Sequence, residues 1–185
     1  MHKNKTAAAA VLSLIVVLPL AASIYFYGRV PSEPLAVGSA APALRAEQVT
    51  PGTPLPQSGR RAILFFRPSC EHCRAMLAQI DALRKEHPEW SRQASPLQWE
   101  LISTGSHAET IAFARDTRLP VFEDIDGASM RAMHGIRVPY LVLVDEHGIV
   151  RHRHTGERSL TYNEGILDSF YRYGQVGGSL YSNRK

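Results

Sequence analysis

Apolar residues along the chain form short continuous runs that alternate with helical stripes. The runs at 62–66 and 140–144 are almost entirely aliphatic or aromatic, which is typical of strands buried on both faces. Between these runs, apolar residues recur three and four positions apart from residue 73 to residue 83, which predicts a helix. His87-Pro88 should end that helix.

The rest of the chain continues this alternation. The pattern predicts a strand at 97–103, helices at 108–115, 128–134 and 162–171, and a hairpin strand at 149–154 after the turn at 145–148. Because strands and helices follow one another in turn, an α/β fold is expected.

The N-terminal segment 7–27 has no charged residue and is long enough to cross a bilayer as a helix. Lys3 and Lys5 precede it, so the positive-inside rule places the N-terminus in the cytoplasm and the chain after Arg29 outside. Cleavage as a signal peptide at the small residues 21–23 is the alternative. An uncleaved anchor is favoured because the apolar run continues through an aromatic end.

This pattern divides the chain into four parts. A cytoplasmic stub and transmembrane anchor occupy 1–27, and a Pro-containing linker follows at 28–36. One globular domain is expected at 37–173, followed by a Gly- and Ser-rich flexible tail at 174–185.

The composition is that of a globular protein, and the distribution of charge gives no reason to expect binding to a nucleic acid. The chain has 185 residues, of which 44% are hydrophobic, enough for one well-packed domain. Its net charge of +4 is spread along the sequence and does not form a basic block.

The only two cysteines, Cys70 and Cys73, lie where the first strand meets the helix. A bond between them closes too short a loop to stabilise the fold much, so reversible chemistry is the better interpretation. Helix N–H groups favour the thiolate of Cys70, which makes it the expected nucleophile, and Cys73 would then resolve the mixed disulfide. Glu71 and His72 between them should tune this balance in opposite directions.

Other readings of these residues remain open. A Cys-x-x-Cys pair is also half of a zinc site, so a non-enzymatic metal-binding or assembly module is the alternative function. His152 and His154 share one face of the hairpin strand and could bind a metal or an anion, although a solvated strand is favoured for them.

Three ordered motifs carry a resemblance to a known family. They are the opening 37–42 (VGSAAP), the strand 60–66 before the cysteines, and 138–148, where Val138-Pro139 leads into a strand ending in Asp-x-x-Gly. With the cysteine pair, they make the chain similar, over about residues 35 to 170, to the TlpA/ResA-type membrane-anchored thiol-disulfide oxidoreductases.

The resemblance implies a thioredoxin-like fold, with a central mixed sheet flanked by helices, and an N-terminal transmembrane helix. It implies a cis Pro139 beside the cysteines, and substrate binding by Val138 and Tyr140. The implied activity is exchange with protein thiols and disulfides on the periplasmic side of the inner membrane, in either direction. No cofactor beyond the Cys70-Cys73 disulfide and no metal is implied, and a transmembrane partner would carry the electrons.

The chain departs from this family at two positions that matter for proton transfer. Leu64 stands where thioredoxin has a buried Asp, and Met76 where some members carry a Glu. An acidic proton shuttle is therefore not expected, and Glu71 or a water would have to assist.

Overall fold

A computed structural model describes residues 33–52, 54–91 and 96–174, together with Val17 and Pro19. Apart from those two residues, the expected anchor at 7–27 lies outside the described residues, as does the tail from 175 onward. No helix in the described part is long and apolar enough to cross a membrane. A compact unit begins at Leu35, whose side chain is buried.

A six-stranded mixed sheet forms the centre of this unit. Its strands are β1 (Ala46–Gln48), β2 (Arg61–Phe66), β3 (Gln98–Ser103), β4 (Val121–Asp124), β5 (Tyr140–Val144) and β6 (Val150–Thr155). The strand order is β1-β4-β3-β2-β5-β6. β3 is parallel to both β2 and β4, whereas β1, β5 and β6 each pair antiparallel with their neighbours.

In the part of the chain from Leu35 that the structure describes, three helices connect these strands and a fourth follows β6. They are α1 (Glu71–Glu86), α2 (His107–Asp116), α3 (Ala128–Ala132) and α4 (Leu160–Tyr173), with short 3-10 turns at Pro88–Ser91 and Ile125–Gly127. Local sequence sets several of their ends. Ser106 and Glu109 form a capping box at the start of α2, and Gly174 ends α4 in the left-handed conformation.

β2 lies in the middle of the sheet, and all six of its residues are buried. Alternate residues point to opposite faces. Leu64 and Phe66 pack against α1 and α4 on what we call the cysteine side. Ile63 and Phe65 pack on the opposite side, together with Leu35 and Leu44, which precede β1. The continuous apolar run thus reflects a strand covered on both faces, as predicted.

The other predicted strands and helices are also present, with ends that differ by a few residues. β5 has the predicted bounds, and β6 is displaced by one residue from 149–154. Two strands were not predicted, namely β1 and β4, which have three and four residues. Their formation depends on pairing with each other and with β3, which short segments do not reveal locally.

A buried charged pair lies on the side of the sheet away from the cysteines. Glu100 of β3 is fully buried, and Arg61 of β2 is 5% exposed. The Arg61 Nη1 atom lies 3.9 Å from Glu100 Oε1, and neither carboxylate oxygen has a hydrogen-bond partner among the described residues. Burial raises the pKa of Glu100 to about 7, although the charge of Arg61 acts against this rise.

Candidate active site

Cys70 lies at the junction that the sequence predicts, between the end of β2 and the start of α1. It is the N-cap residue of α1, with extended backbone angles of φ −82° and ψ 120°. The backbone N–H of Cys73 donates a hydrogen bond to Cys70 Sγ, at 3.3 Å. The sulfur of a partly exposed cysteine is therefore aimed at the N-terminus of a helix, where backbone N–H groups stabilise negative charge.

Cys73 has the opposite environment, because its side chain is fully buried in the cysteine-side core. Burial, together with its contact to Cys70, raises the pKa of the Cys73 thiol to about 12, although the nearby charge of Arg67 acts in the other direction. Both residues are free thiols in this structure. The pair thus combines an accessible sulfur with a sheltered one.

This asymmetry predicts the outcome of alkylation. Only the thiolate reacts, and Cys73 is both fully buried and, at pH 7.5, far below the raised pKa of its thiol. Iodoacetamide should therefore label the reduced protein once, at Cys70, as read by mass spectrometry of tryptic peptides. In urea, both cysteines should be labelled. Equal labelling of the two cysteines in the folded protein would contradict the assignment of Cys73 as the sheltered thiol.

The turn that presents Cys70 is held by the loop that follows β3. Thr104 donates its backbone N–H to the carbonyl of Phe66, at 2.8 Å. A Cβ atom on Gly105 would lie 2.8 Å from Pro68 Cδ, a contact that real side chains do not make. Glycine at this position therefore allows the two loops to approach closely, which fixes the backbone just before Cys70.

The peptide bond between Val138 and Pro139 is cis, as expected from the resemblance. Both residues line a groove of about 750 Å³ together with His72, the residue after Glu71 at the start of α1. The groove, hereafter the cis-proline groove, is lined by His72, Gln79, Val138, Pro139, Gly156, Glu157, Arg158, Ser159 and Tyr162. A concave surface thus joins the proline loop to the helix that carries the cysteines.

No protein-family model matches the sequence, and a search of curated proteins found no match. Solved structures do match. StoA from Bacillus subtilis is 20% identical with a TM-score of 0.53, over 68% of this chain and 97% of that one. A secreted Mycobacterium tuberculosis disulfide oxidoreductase is 16% identical with a TM-score of 0.53, over 67% and 93%. The reduced 2-Cys peroxiredoxin of Plasmodium vivax is 19% identical with a TM-score of 0.62, over 82% and 92%.

The chain has a thioredoxin-like fold. The mixed sheet flanked by helices agrees with the structural matches. In this chain it carries the Cys-x-x-Cys pair at the start of a helix and the cis proline before β5. This likeness concerns the fold, since the identities are low.

Within the thioredoxin-like domain, His72 contacts the loop that follows β6. Its Nδ1 atom lies 3.0 Å from Glu157 Oε2, while 74% of the His72 side chain is exposed. Glu71 is also exposed and follows Cys70 directly. The two residues between the cysteines therefore face solvent, and one of them connects α1 to the far wall of the cis-proline groove.

Tyr140 does not contribute its side chain to the groove. It is 2% exposed, packs against Phe65 on the opposite side of the sheet, and donates its hydroxyl to the carbonyl of Met133, at 2.9 Å. This contact anchors β5 immediately after the cis proline. Tyr140 is therefore placed to support the proline loop, and any substrate contact that it makes would have to come from its backbone.

The expectation that His152 and His154 lie on a solvated strand is wrong for His154, which is only 6% exposed, while His152 is half-buried. β6 pairs these residues with Leu143 and Leu141, so they share the cysteine side of the sheet and lie next to Tyr162 of α4. Pairing the alternate residues of β6 with the buried run at 140–144 would have shown this.

The two histidines interact directly, with His152 Nε2 at 3.1 Å from His154 Nδ1. Burial lowers the pKa of His152 to about 4 and that of His154 to about 3, helped by the charge of Arg158. Both rings are therefore neutral at physiological pH. Among the described residues, no three His, Cys, Asp or Glu side chains gather as metal ligands.

Proposed function

We propose that the protein is a thiol-disulfide oxidoreductase that acts on cysteines of other proteins. The observation that carries this proposal is the arrangement of the two thiols. A partly exposed Cys70 caps a helix, and a buried Cys73 donates a backbone hydrogen bond to its sulfur, next to the groove formed by the cis proline. A structural metal site or an inert core pair has no need for such a difference in access.

In the reducing direction, the Cys70 thiolate attacks one sulfur of a substrate disulfide. The substrate S–S bond breaks, a mixed disulfide forms on Cys70, and the released substrate thiolate takes up a proton. Cys73 then loses its proton and attacks Cys70 Sγ, which breaks the mixed disulfide and frees the second substrate thiol. The substrate gains two electrons and two protons, and the Cys70-Cys73 pair becomes a disulfide. The oxidising reaction is the reverse.

The loop before β5 offers a main chain to such a substrate. Tyr140 is the first residue of β5 that pairs with β2, so Val138 lies just before the paired part of the strand. Its side chain is half-buried and lines the cis-proline groove. An extended substrate segment can therefore pair with the Val138 backbone while its cysteine meets Cys70.

The same proposal places the domain outside the cytoplasm. Its support is the uncharged segment 7–27 behind Lys3 and Lys5, which favours an inner-membrane anchor with the domain in the periplasm. An oxidising compartment requires a source of electrons for a reductase, so a transmembrane electron-transfer partner is part of the proposal. The reactive pair itself needs no further cofactor.

The redox equilibrium of the full-length protein in detergent, measured against glutathione, tests the exchange activity. We expect a reversible two-electron couple at Cys70-Cys73. A potential near −270 mV, about the thioredoxin value, would indicate a reductase, and one near −120 mV an oxidant. A pair that does not equilibrate, or does so only after bound metal is removed, would contradict the proposal and favour the metal-binding alternative.

A further inference from the structure

We propose that the cis-proline groove selects protein segments that carry an acidic residue close to the reacting cysteine, and that Arg158 is the residue that recognises it. This inference rests on the proposed function, since it concerns the substrate of the same site. It names a chemical class, a carboxylate-bearing extended peptide, and assigns a specificity role to the loop between β6 and α4.

One carboxylate and one guanidinium line the groove. Glu157 is its one carboxylate and lies 3.0 Å from His72 Nδ1. Arg158 lies on the same wall, with its guanidinium carbon 5.7 Å from the centre of the Tyr162 ring. No carboxylate of the described residues lies within ion-pair distance of Arg158. The groove therefore presents a guanidinium without a carboxylate partner in the described part of the chain, next to a carboxylate that contacts His72.

Arg158 is exposed, and its guanidinium lies over the ring of Tyr162. The face of a tyrosine ring attracts a guanidinium, which favours this position of the side chain. The charge of Arg158 reaches the buried histidines beneath the groove, since it lowers the pKa of both His152 and His154. Those rings are neutral, so they neither attract nor repel a bound carboxylate. The guanidinium of Arg158 can bind a carboxylate through two parallel hydrogen bonds.

Further cations border the cysteines. Arg67 lies just before Cys70 and is close enough for its charge to act on Cys73, and the exposed Arg137 directly precedes Val138. Against them stand Glu71, which is exposed, and Glu109, which accepts hydrogen bonds from Ser106. Together with Arg158 and Glu157, these residues are three arginines and three glutamates, so selection of a carboxylate depends on its direct contact with Arg158 and not on the net charge.

The test uses the full-length protein and three peptides that differ at one position. Each forms a disulfide with the same dye and carries Glu, Gln or Lys two residues from its cysteine. The protein is first reduced with dithiothreitol and separated from it, and the measured quantity is the ratio of its second-order rate constants for exchange with the Glu peptide and with the Lys peptide. We expect the wild type to prefer Glu by about tenfold at low salt, with the preference falling as salt is added.

Arg158→Glu should reverse this preference, and Arg158→Lys should keep most of it. The matched control is Arg118→Glu, which changes the net charge equally. Arg118 is exposed and comes just before the amino end of β4, whereas Cys70 follows the carboxyl end of β2. Because β2 and β4 are both parallel to β3, Arg118 and Cys70 lie at opposite ends of these strands. This control should retain the wild-type ratio.

Each outcome separates the inference from the proposal on which it rests. If Arg158→Glu keeps the wild-type ratio, or Arg118→Glu alters it as much, the groove does not select acidic segments and the inference is wrong. If the wild type exchanges with none of the three peptides, including the neutral Gln peptide, the proposed oxidoreductase activity itself is wrong.

Discussion

Replacing Cys73 by serine should trap substrates on the protein as mixed disulfides with Cys70. The variant keeps the accessible sulfur at the helix N-terminus, so the first attack still takes place. It lacks the buried thiol that releases the substrate. Because a well-placed internal thiol acts at a far higher effective concentration than any external one, release should slow by on the order of 1,000-fold or more.

The trapped species is measured on non-reducing gels and identified by mass spectrometry. Cys70→Ser is the matched control, since it removes the nucleophile and should trap nothing. Trapped partners with domains outside the cytoplasm would also support the proposed location. If Cys73→Ser traps no protein but loses a bound metal, the exchange mechanism is wrong and the metal-binding module takes its place.

The second large effect concerns stability, and it arises on the other side of the sheet. In the folded protein, burial raises the pKa of Glu100 to about 7, from an ordinary value of 4.5. The folded state therefore holds its proton at pH values where the unfolded chain has lost it. This contribution to stability is complete below pH 4.5 and is lost as the pH rises through about 7.

Glu100→Gln removes this titration. Between pH 4.5 and pH 8, the free energy of unfolding of the wild type should fall by about 3 kcal/mol more than that of the variant. The prediction concerns the slope, because the variant also leaves Arg61 without its acidic neighbour at every pH. Urea unfolding across this pH range provides the measurement.

Glu86→Gln serves as the control, because Glu86 is an exposed residue at the end of α1. It should follow the wild-type slope. If the wild type and Glu100→Gln lose stability in parallel as the pH rises, then Glu100 is not protonated in the folded state, and water or Arg61 compensates its charge.

Much of the site could be predicted because its parts leave local signals. A strand buried on both faces needs a continuous apolar run, and the residues from Ala62 to Phe66 provide one. The apolar stripe of α1 and the His87-Pro88 stop follow from helix geometry. The cis bond between Val138 and Pro139 leaves no signal in composition or spacing, and only the resemblance to a family predicts it.

What the sequence did not reveal is which polar residues become buried. Glu100 occurs in a strand whose apolar and polar residues alternate, and it lies on the side of the sheet that Leu35 and Leu44 cover. The burial of His154 depends on the register between β5 and β6 and on the position of α4. Both are set by contacts between segments far apart in the chain, which local patterns cannot specify.

The hydrogen bond from the Cys73 N–H to the Cys70 sulfur makes the capping atom of α1 one of the two reactive atoms. Forming the disulfide changes that cap, so a thermodynamic cycle connects the stability of the helix with the reduction potential. The dithiol and disulfide forms differ in their free energy of unfolding. This difference must equal the difference between the free energy of reducing the disulfide in the folded chain and that of reducing it in the unfolded chain. Comparing the denaturant midpoints of the two forms would therefore show whether the fold favours the dithiol or the disulfide, independently of any electron-transfer partner.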